Sequence, residues 1–155
     1  MIKADVLIAN KNWKKHITAP NFYINKKLRK IDKKLSIFKS NNFNFTILLS
    51  GDNEVKKLNN KFRKKNKTTD ILSFPFYEKK ILFKLIKKEK NVIYLGDIII
   101  NLKEIIKQSK KQDFSLTFNK LWIHGLTHLL GYRHKSNQDF SLMHKLENKI
   151  IKSIQ

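Results

Sequence analysis

Three histidines carry the strongest chemical signal in this chain. His124 and His128 stand four residues apart in a stretch of helical character, and His134 follows just beyond Gly131. At 100° per residue, positions four apart differ by about 40° around a helix, with Cβ atoms about 6 Å from each other. Two imidazoles so placed can share one metal ion at the roughly 2.0–2.1 Å zinc–nitrogen distance. Gly131 tolerates the positive φ on which helices end, so the chain can reverse and bring His134 back as a third ligand. Three protein ligands leave a fourth position open for water, the arrangement of catalytic rather than structural zinc. Copper, nickel and iron also suit imidazole, so the donor set alone does not choose the metal. One divalent ion, zinc, is the expectation. His16 and His144 lack comparable partners and read as ordinary.

The frame H-x-x-x-H-x-x-G-x-x-H is also the spacing of metzincin proteases, whose general-base Glu directly follows the first His. Gly125 occupies that position here, so the carboxylate for peptide hydrolysis is missing. A metzincin-like metalloprotease is therefore disfavoured. Only three of the 34 basic residues are Arg: Arg29, Arg63 and Arg133. A planar guanidinium can grip a phosphate with two parallel hydrogen bonds and stabilise charge on phosphorus. By residue type alone, Arg63 reads either so or as a solvated cation at a helix end. Arg29 reads as a surface residue.

Composition bounds the rest. The 155 residues carry a formal charge of +22. A balance this basic points to a nucleic-acid partner, RNA or the ribosome. The excess is nearly all Lys, with abundant Asn and Ile, the residues an A+T-rich genome imposes, so drift is the competing explanation. There is no Cys, which excludes disulfides, thiolate metal sites and Cys nucleophiles. No apolar run approaches a transmembrane length, and Met1 to Lys15 lacks a signal-peptide core. A soluble cytoplasmic protein, with no membrane and no DNA partner, is expected.

The elements that must position these residues follow from periodicity. Ala4–Ala9 reads as a strand. Pro20 opens a helix with Phe22, Ile24, Leu28, Ile31 and Leu35 on one face. Phe43–Leu49 is a strand, and Ser50-Gly51-Asp52 a turn that can cap a helix carrying Val55, Leu58, Asn59 and Phe62. After a polar loop, Lys64–Thr69, comes a strand over Asp70–Phe76, in which Pro75 marks an edge or an end. Ile81–Lys90 is ambiguous. Val92–Asn101 is a strand broken at Gly96-Asp97, and Leu102–Gln112 a helix. Thr117–Leu130 is a helix apolar nearly all round, which belongs at the centre of a domain. A last amphipathic helix runs over Gln138–Ile154. The sum is an α+β fold: a single domain over residues 1–155, its small mixed sheet packed against helices, with the His motif on the central apolar helix.

His124-Gly125-Leu126-Thr127-His128-Leu129-Leu130-Gly131-Tyr132-Arg133-His134 resembles the signature of the YbeY endoribonucleases. Leu58-Asn59-Asn60-Lys61-Phe62-Arg63, followed by Thr69-Asp70-Ile71-Leu72-Ser73-Phe74-Pro75, is similar to that family's central block. Leu95-Gly96-Asp97-Ile98 and the tail with Met143 and Glu147 agree with it. The resemblance spans about Ile47 to Ile151. It implies a metal-dependent, single-strand-preferring endoribonuclease in 16S rRNA 3′-end maturation and ribosome quality control. By this resemblance His124, His128 and His134 are the metal ligands and Arg63 the catalytic residue. Thr69, Asp70 and Ser73 shape the strand beneath the cleft or form an ordinary turn, and Asp70 is a candidate to orient a ligand. The implied partners are ribosomal RNA, the small ribosomal subunit, ribosomal proteins and a ribosome-associated GTPase. The family usually has Asp where this chain has Arg133. The competing reading is a non-catalytic ribosome-associated RNA-binding factor with a structural metal.

Overall fold

The computed structural model describes residues 1–88, 92–110 and 112–155. Among these, four strands form one sheet and six α-helices pack around it. The strands are β1 (Ile2–Ile8), β2 (Asn42–Ser50), β3 (Ile71–Pro75) and β4 (Val92–Asn101); the helices are α1 (Pro20–Lys34), α2 (Asp52–Arg63), α3 (Lys79–Lys87), α4 (Leu102–Ser109), α5 (Phe114–Leu129) and α6 (Asn137–Ile154). The spatial order is β1-β2-β4-β3, with β1, β2 and β4 parallel and β3 antiparallel to β4. The fold is thus α+β with a mixed sheet, and Pro75 does lie on an edge strand, where its missing N–H costs no ladder bond.

Alternation along the strands splits the interior into two layers. Ile98 and Ile100 face the main core, built with α1 and α5, while Leu72 and Ile99 face the other way onto Val55 of α2. In α1, Pro20 sits at the start, where its missing N–H is not needed, and Ile24, Leu28 and Ile31 are buried at helical spacing. Phe22, placed on the same face by the sequence pattern, is instead exposed; two positions before Ile24, it lies about 160° away around the helix.

Helix α5 justifies its composition. Phe118, Leu121, Trp122, Ile123, Leu126 and Leu129 are all buried, against β3, β4, α4 and α6. Each such side chain contributes about 1.5–3 kcal/mol through burial. The Asp113 side chain accepts from the Leu116 N–H at 3.0 Å, capping the helix start.

Four local readings change. The strand expected to break at Gly96-Asp97 is continuous. Leu95 and Gly96 form a bulge between the paired Tyr94 and Asp97, opposite the single residue Phe45. Gly96 has φ +128°, and a Cβ there would stand 2.1 Å from the Phe74 carbonyl oxygen, so only glycine fits. The ambiguous basic stretch is α3 over Lys79–Lys87; its last residues, 89 and 90, fall outside the described set. The helix read over Leu102–Gln112 ends at Ser109. Helix α2 begins after Gly51 with no side-chain cap.

One buried residue ties the sheet to the loop ahead of β3. Asn101, at the end of β4, is fully buried; its Nδ2 donates to Asp52 Oδ1 (3.0 Å), Thr68 Oγ1 (3.0 Å) and the Thr69 carbonyl (3.1 Å). Its N–H donates to the Asp70 carbonyl at 2.9 Å, and its Oδ1 accepts the Lys103 N–H at 3.1 Å, capping α4.

Candidate active site

The three histidines meet at the C-terminal end of α5. Gly131 adopts φ +87°, its N–H donates to the His128 carbonyl at 2.9 Å, and the Tyr132 N–H to the Thr127 carbonyl at 3.1 Å. This is a Schellman ending, and it turns the chain so that His134 faces the helix it has just left. Ring centroids lie 4.6 Å apart for His124 and His128, 5.1 Å for His128 and His134, and 5.8 Å for His124 and His134. One ligand nitrogen from each falls within 4.8 Å of the other two.

The hydrogen bonds around the rings fix their protons. His124 Nδ1 lies 2.8 Å from Glu147 Oε1, and His128 Nδ1 lies 3.0 Å from the Tyr132 carbonyl oxygen. Both oxygens accept, so both Nδ1 atoms carry hydrogen. Each neutral ring then has only a lone pair on Nε2, and these two Nε2 atoms stand 3.1 Å apart. Two lone pairs facing each other at that distance repel unless a cation or a proton lies between them. A tetrahedral zinc site has ligand nitrogens about 3.3 Å apart, so the pair fits a metal ion. A proton is disfavoured at His128, where burial first and the neighbouring His124 next push the pKa down to about 4. Burial alone would raise the Glu147 carboxyl, but the hydrogen bond from His124, with His144 behind, holds it below its ordinary value.

Arg63 reaches the same place from another element. It is the last residue of α2, and the left-handed Lys64 (φ 57°) ends the helix there. Its Nη2 donates to the Ser73 carbonyl of β3 at 3.1 Å, and its guanidinium lies over the Phe74 ring at 5.7 Å. Among the described residues one of its five N–H donors is so used, and the others are free to face a ligand. Arg63, the three histidines, Ser73 and Asp70 line one cleft of about 470 Å³. Arg133 and Lys135 also line it and are exposed at its rim. Three cations against one carboxylate give the cleft a positive field suited to a phosphodiester.

The other candidates do not join the histidine cluster, although Asp70 shares its cleft. Asp70 accepts from Thr69 Oγ1 (3.2 Å) and Gln108 Nε2 (3.0 Å) and bonds no histidine. His16 stacks on Phe114 at 4.5 Å, remote from the cluster. His144 Nδ1 stands 3.7 Å from Glu147 Oε2, behind the cluster rather than in it. Arg29 does not reach the cleft and lines a different surface hollow. Glu147 and the Tyr132 carbonyl hold the two imidazoles: the family resemblance singles out Glu147 without a role, and by residue type alone it is one acidic residue on a polar helix face. A Cβ on Gly125 would lie 2.9 Å from two carbons of Ile98 and 3.0 Å from Ile71 Cδ1. A side chain at this position enters the sheet interface, not the cleft, so this backbone has no room for a metzincin-type Glu.

The class this fold and cleft define is an α+β protein with a three-histidine cluster beside a basic groove. A family model described as Endoribonuclease YbeY matches residues 7–155. The chain is 41% identical to an endoribonuclease YbeY of Pelagibacter ubique over 157 aligned positions, covering 100% of this chain and 97% of that one. It is 40% identical to one of Buchnera aphidicola, covering 94% and 84%, and 30% identical to one of Bartonella henselae, covering 99% and 94%. A Thermotoga maritima protein solved in solution shares the fold with a TM-score of 0.62 at 23% identity, over 99% of this chain and 89% of that one. The chain belongs to the YbeY endoribonuclease family. The match takes in nearly all of the first forty residues, which carry little of the motif resemblance. They supply core positions such as Ile24, Leu28 and Ile31, whose apolar types have no distinctive signature.

Proposed function

We propose that this chain, acting as a single domain, is a metal-dependent endoribonuclease with a preference for single strands. Its proposed substrate is 16S rRNA at the 3′ end, in cytoplasmic ribosome maturation and quality control. The observation that carries the reading is that Arg63 and the three histidines, from α2 and from α5 with the turn after it, line one cleft. His124, His128 and His134 would hold one divalent ion, and zinc is the ion proposed. Bound there, the ion would supply Lewis acidity toward a phosphoryl oxygen.

The protein's own groups do the rest. Glu147 and the Tyr132 carbonyl lock both rings with Nε2 toward the cleft. Arg63, held by the Ser73 carbonyl and the Phe74 face, presents its free N–H groups to the non-bridging oxygens. Charge developing on those oxygens strengthens the contact as reaction proceeds. Arg133 and Lys135 bind flanking phosphates. Purified small-subunit RNA should be cleaved by wild-type protein, not after chelation, and only weakly by Arg63→Ala. Binding without cleavage would replace this reading with a non-catalytic RNA-binding factor.

A further inference from the structure

A second cavity, of about 570 Å³, shares His124 and Asp70 with the cleft but opens between α4, α5 and α6. Its apolar surface comes from Leu121 and Ile151, and its polar edge from the amides Gln108, Gln112 and Asn148. Gln108 gives one N–H to Asp70 Oδ2 at 3.0 Å and, among the described residues, keeps the other, together with its side-chain carbonyl. Gln112 Oε1 accepts from Lys120 Nζ at 3.3 Å, leaving its NH₂ without a partner among the described residues. Among the described residues Asn148 makes no side-chain hydrogen bond, so all its donors and acceptors are open. The cavity also faces the carboxylates of Asp70 and Glu147, against the cations Lys120 and, when protonated, His144.

That chemistry does not suit a bare phosphate, which two carboxylates repel. It suits a flat, neutral group with an apolar face and an edge of mixed donors and acceptors. Amide side chains pair two at a time with such edges on nucleobases. We propose that this chamber takes the base of the nucleotide next to the scissile phosphate, and that Gln108 and Asn148 read its edge. The inference rests on the RNA-cleavage reading of the adjoining cleft.

The test has a binding arm and a cleavage arm. Gln108 and Asn148 are exposed, so Gln108→Met and Asn148→Leu remove the amides at near-constant size without disturbing the core. In 1H–15N spectra of the wild-type protein, the side-chain amides of Gln108 and Asn148 should move on addition of at least one of AMP, CMP, GMP or UMP. They should not move with ribose 5-phosphate. On single-stranded RNA oligomers differing at one position, wild type should favour one base on the order of tenfold. The double variant should lose that preference while still cleaving and still binding metal. Amides silent to all four nucleotides, or moved equally by ribose 5-phosphate, overturn the proposal, as does a preference that survives in the double variant. If wild type cleaves no RNA while its amides still distinguish the nucleotides, the cleavage reading fails and the base chamber stands.

Discussion

Truncation of Glu147 tests the histidine cluster without touching a member of it. The Glu147 side chain is 18% exposed and lies 2.8 Å from His124 Nδ1. In Glu147→Ala that N–H loses its fixed acceptor. The ring then also populates the tautomer with hydrogen on Nε2, where no lone pair faces His128. Removing the group that orients a ligating histidine costs about 10–100-fold in metal affinity, or about 1.4–2.7 kcal/mol. Glu147→Gln separates orientation from charge, because its amide oxygen still accepts from Nδ1. It should lose about tenfold, and Ala more. Zinc affinity is read by competition with a chromogenic chelator at fixed pH, alongside a urea midpoint of the metal-free protein to show that the fold is intact. Zinc affinity in Glu147→Ala equal to wild type would refute the orienting role. Equal losses in Gln and Ala would show that the carboxylate acts by charge alone.

Arg133 makes no side-chain bond among the described residues and stands at the rim of the cleft, so Arg133→Asp should tighten metal binding and weaken RNA binding. A change of the same sign in both contradicts the electrostatic reading. RNA affinity should fall with salt on a log–log slope of about −0.7 per phosphate contacted on a single strand. A flat line assigns the excess Lys to composition. Asn101→Leu removes two N–H donors shared among three acceptors, and a helix cap, from a buried site and should cost about 2–4 kcal/mol by urea denaturation. The Asp52 carboxyl is held below its ordinary value by hydrogen bonds, first from Asn101 and then from Thr68. A depressed folded-state pKa contributes stability above the unfolded value of about 3.9, lost as pH falls through the folded one. The stability gap between wild type and Asn101→Leu should therefore narrow below about pH 4, and a gap constant with pH would discount the Asp52 contact.

What the sequence makes legible is local. Two histidines four apart, a glycine and a third histidine are one helix end, so their convergence follows from helical geometry and a positive φ. The apolar girth of α5 likewise announces its central place. Glu147 and Asn101 act across 23 residues of chain to His124 and 49 to Asp52, and no periodicity encodes such pairs. The break expected at Gly96 is a bulge because the constraint on that glycine comes from Phe74, on a neighbouring strand. Arg63 stands out as a rare guanidinium, but its anchor on Ser73 exists only once α2 and β3 have packed.

The strand order has a consequence for how the cleft comes into being. β3 precedes β4 in the chain yet lies outside it, and among the described residues it pairs with no other strand. During synthesis, residues 71–75 leave the ribosome before β4 exists, so this wall of the cleft cannot pair into the sheet until β4 follows. In the finished protein that wall is the segment whose release breaks one ladder and leaves three strands joined. Arg63 holds its free edge through the Ser73 carbonyl. The guanidinium proposed to face substrate is therefore also the clasp on the wall, so on that proposal occupancy of the cleft and closure of the sheet edge draw on one side chain.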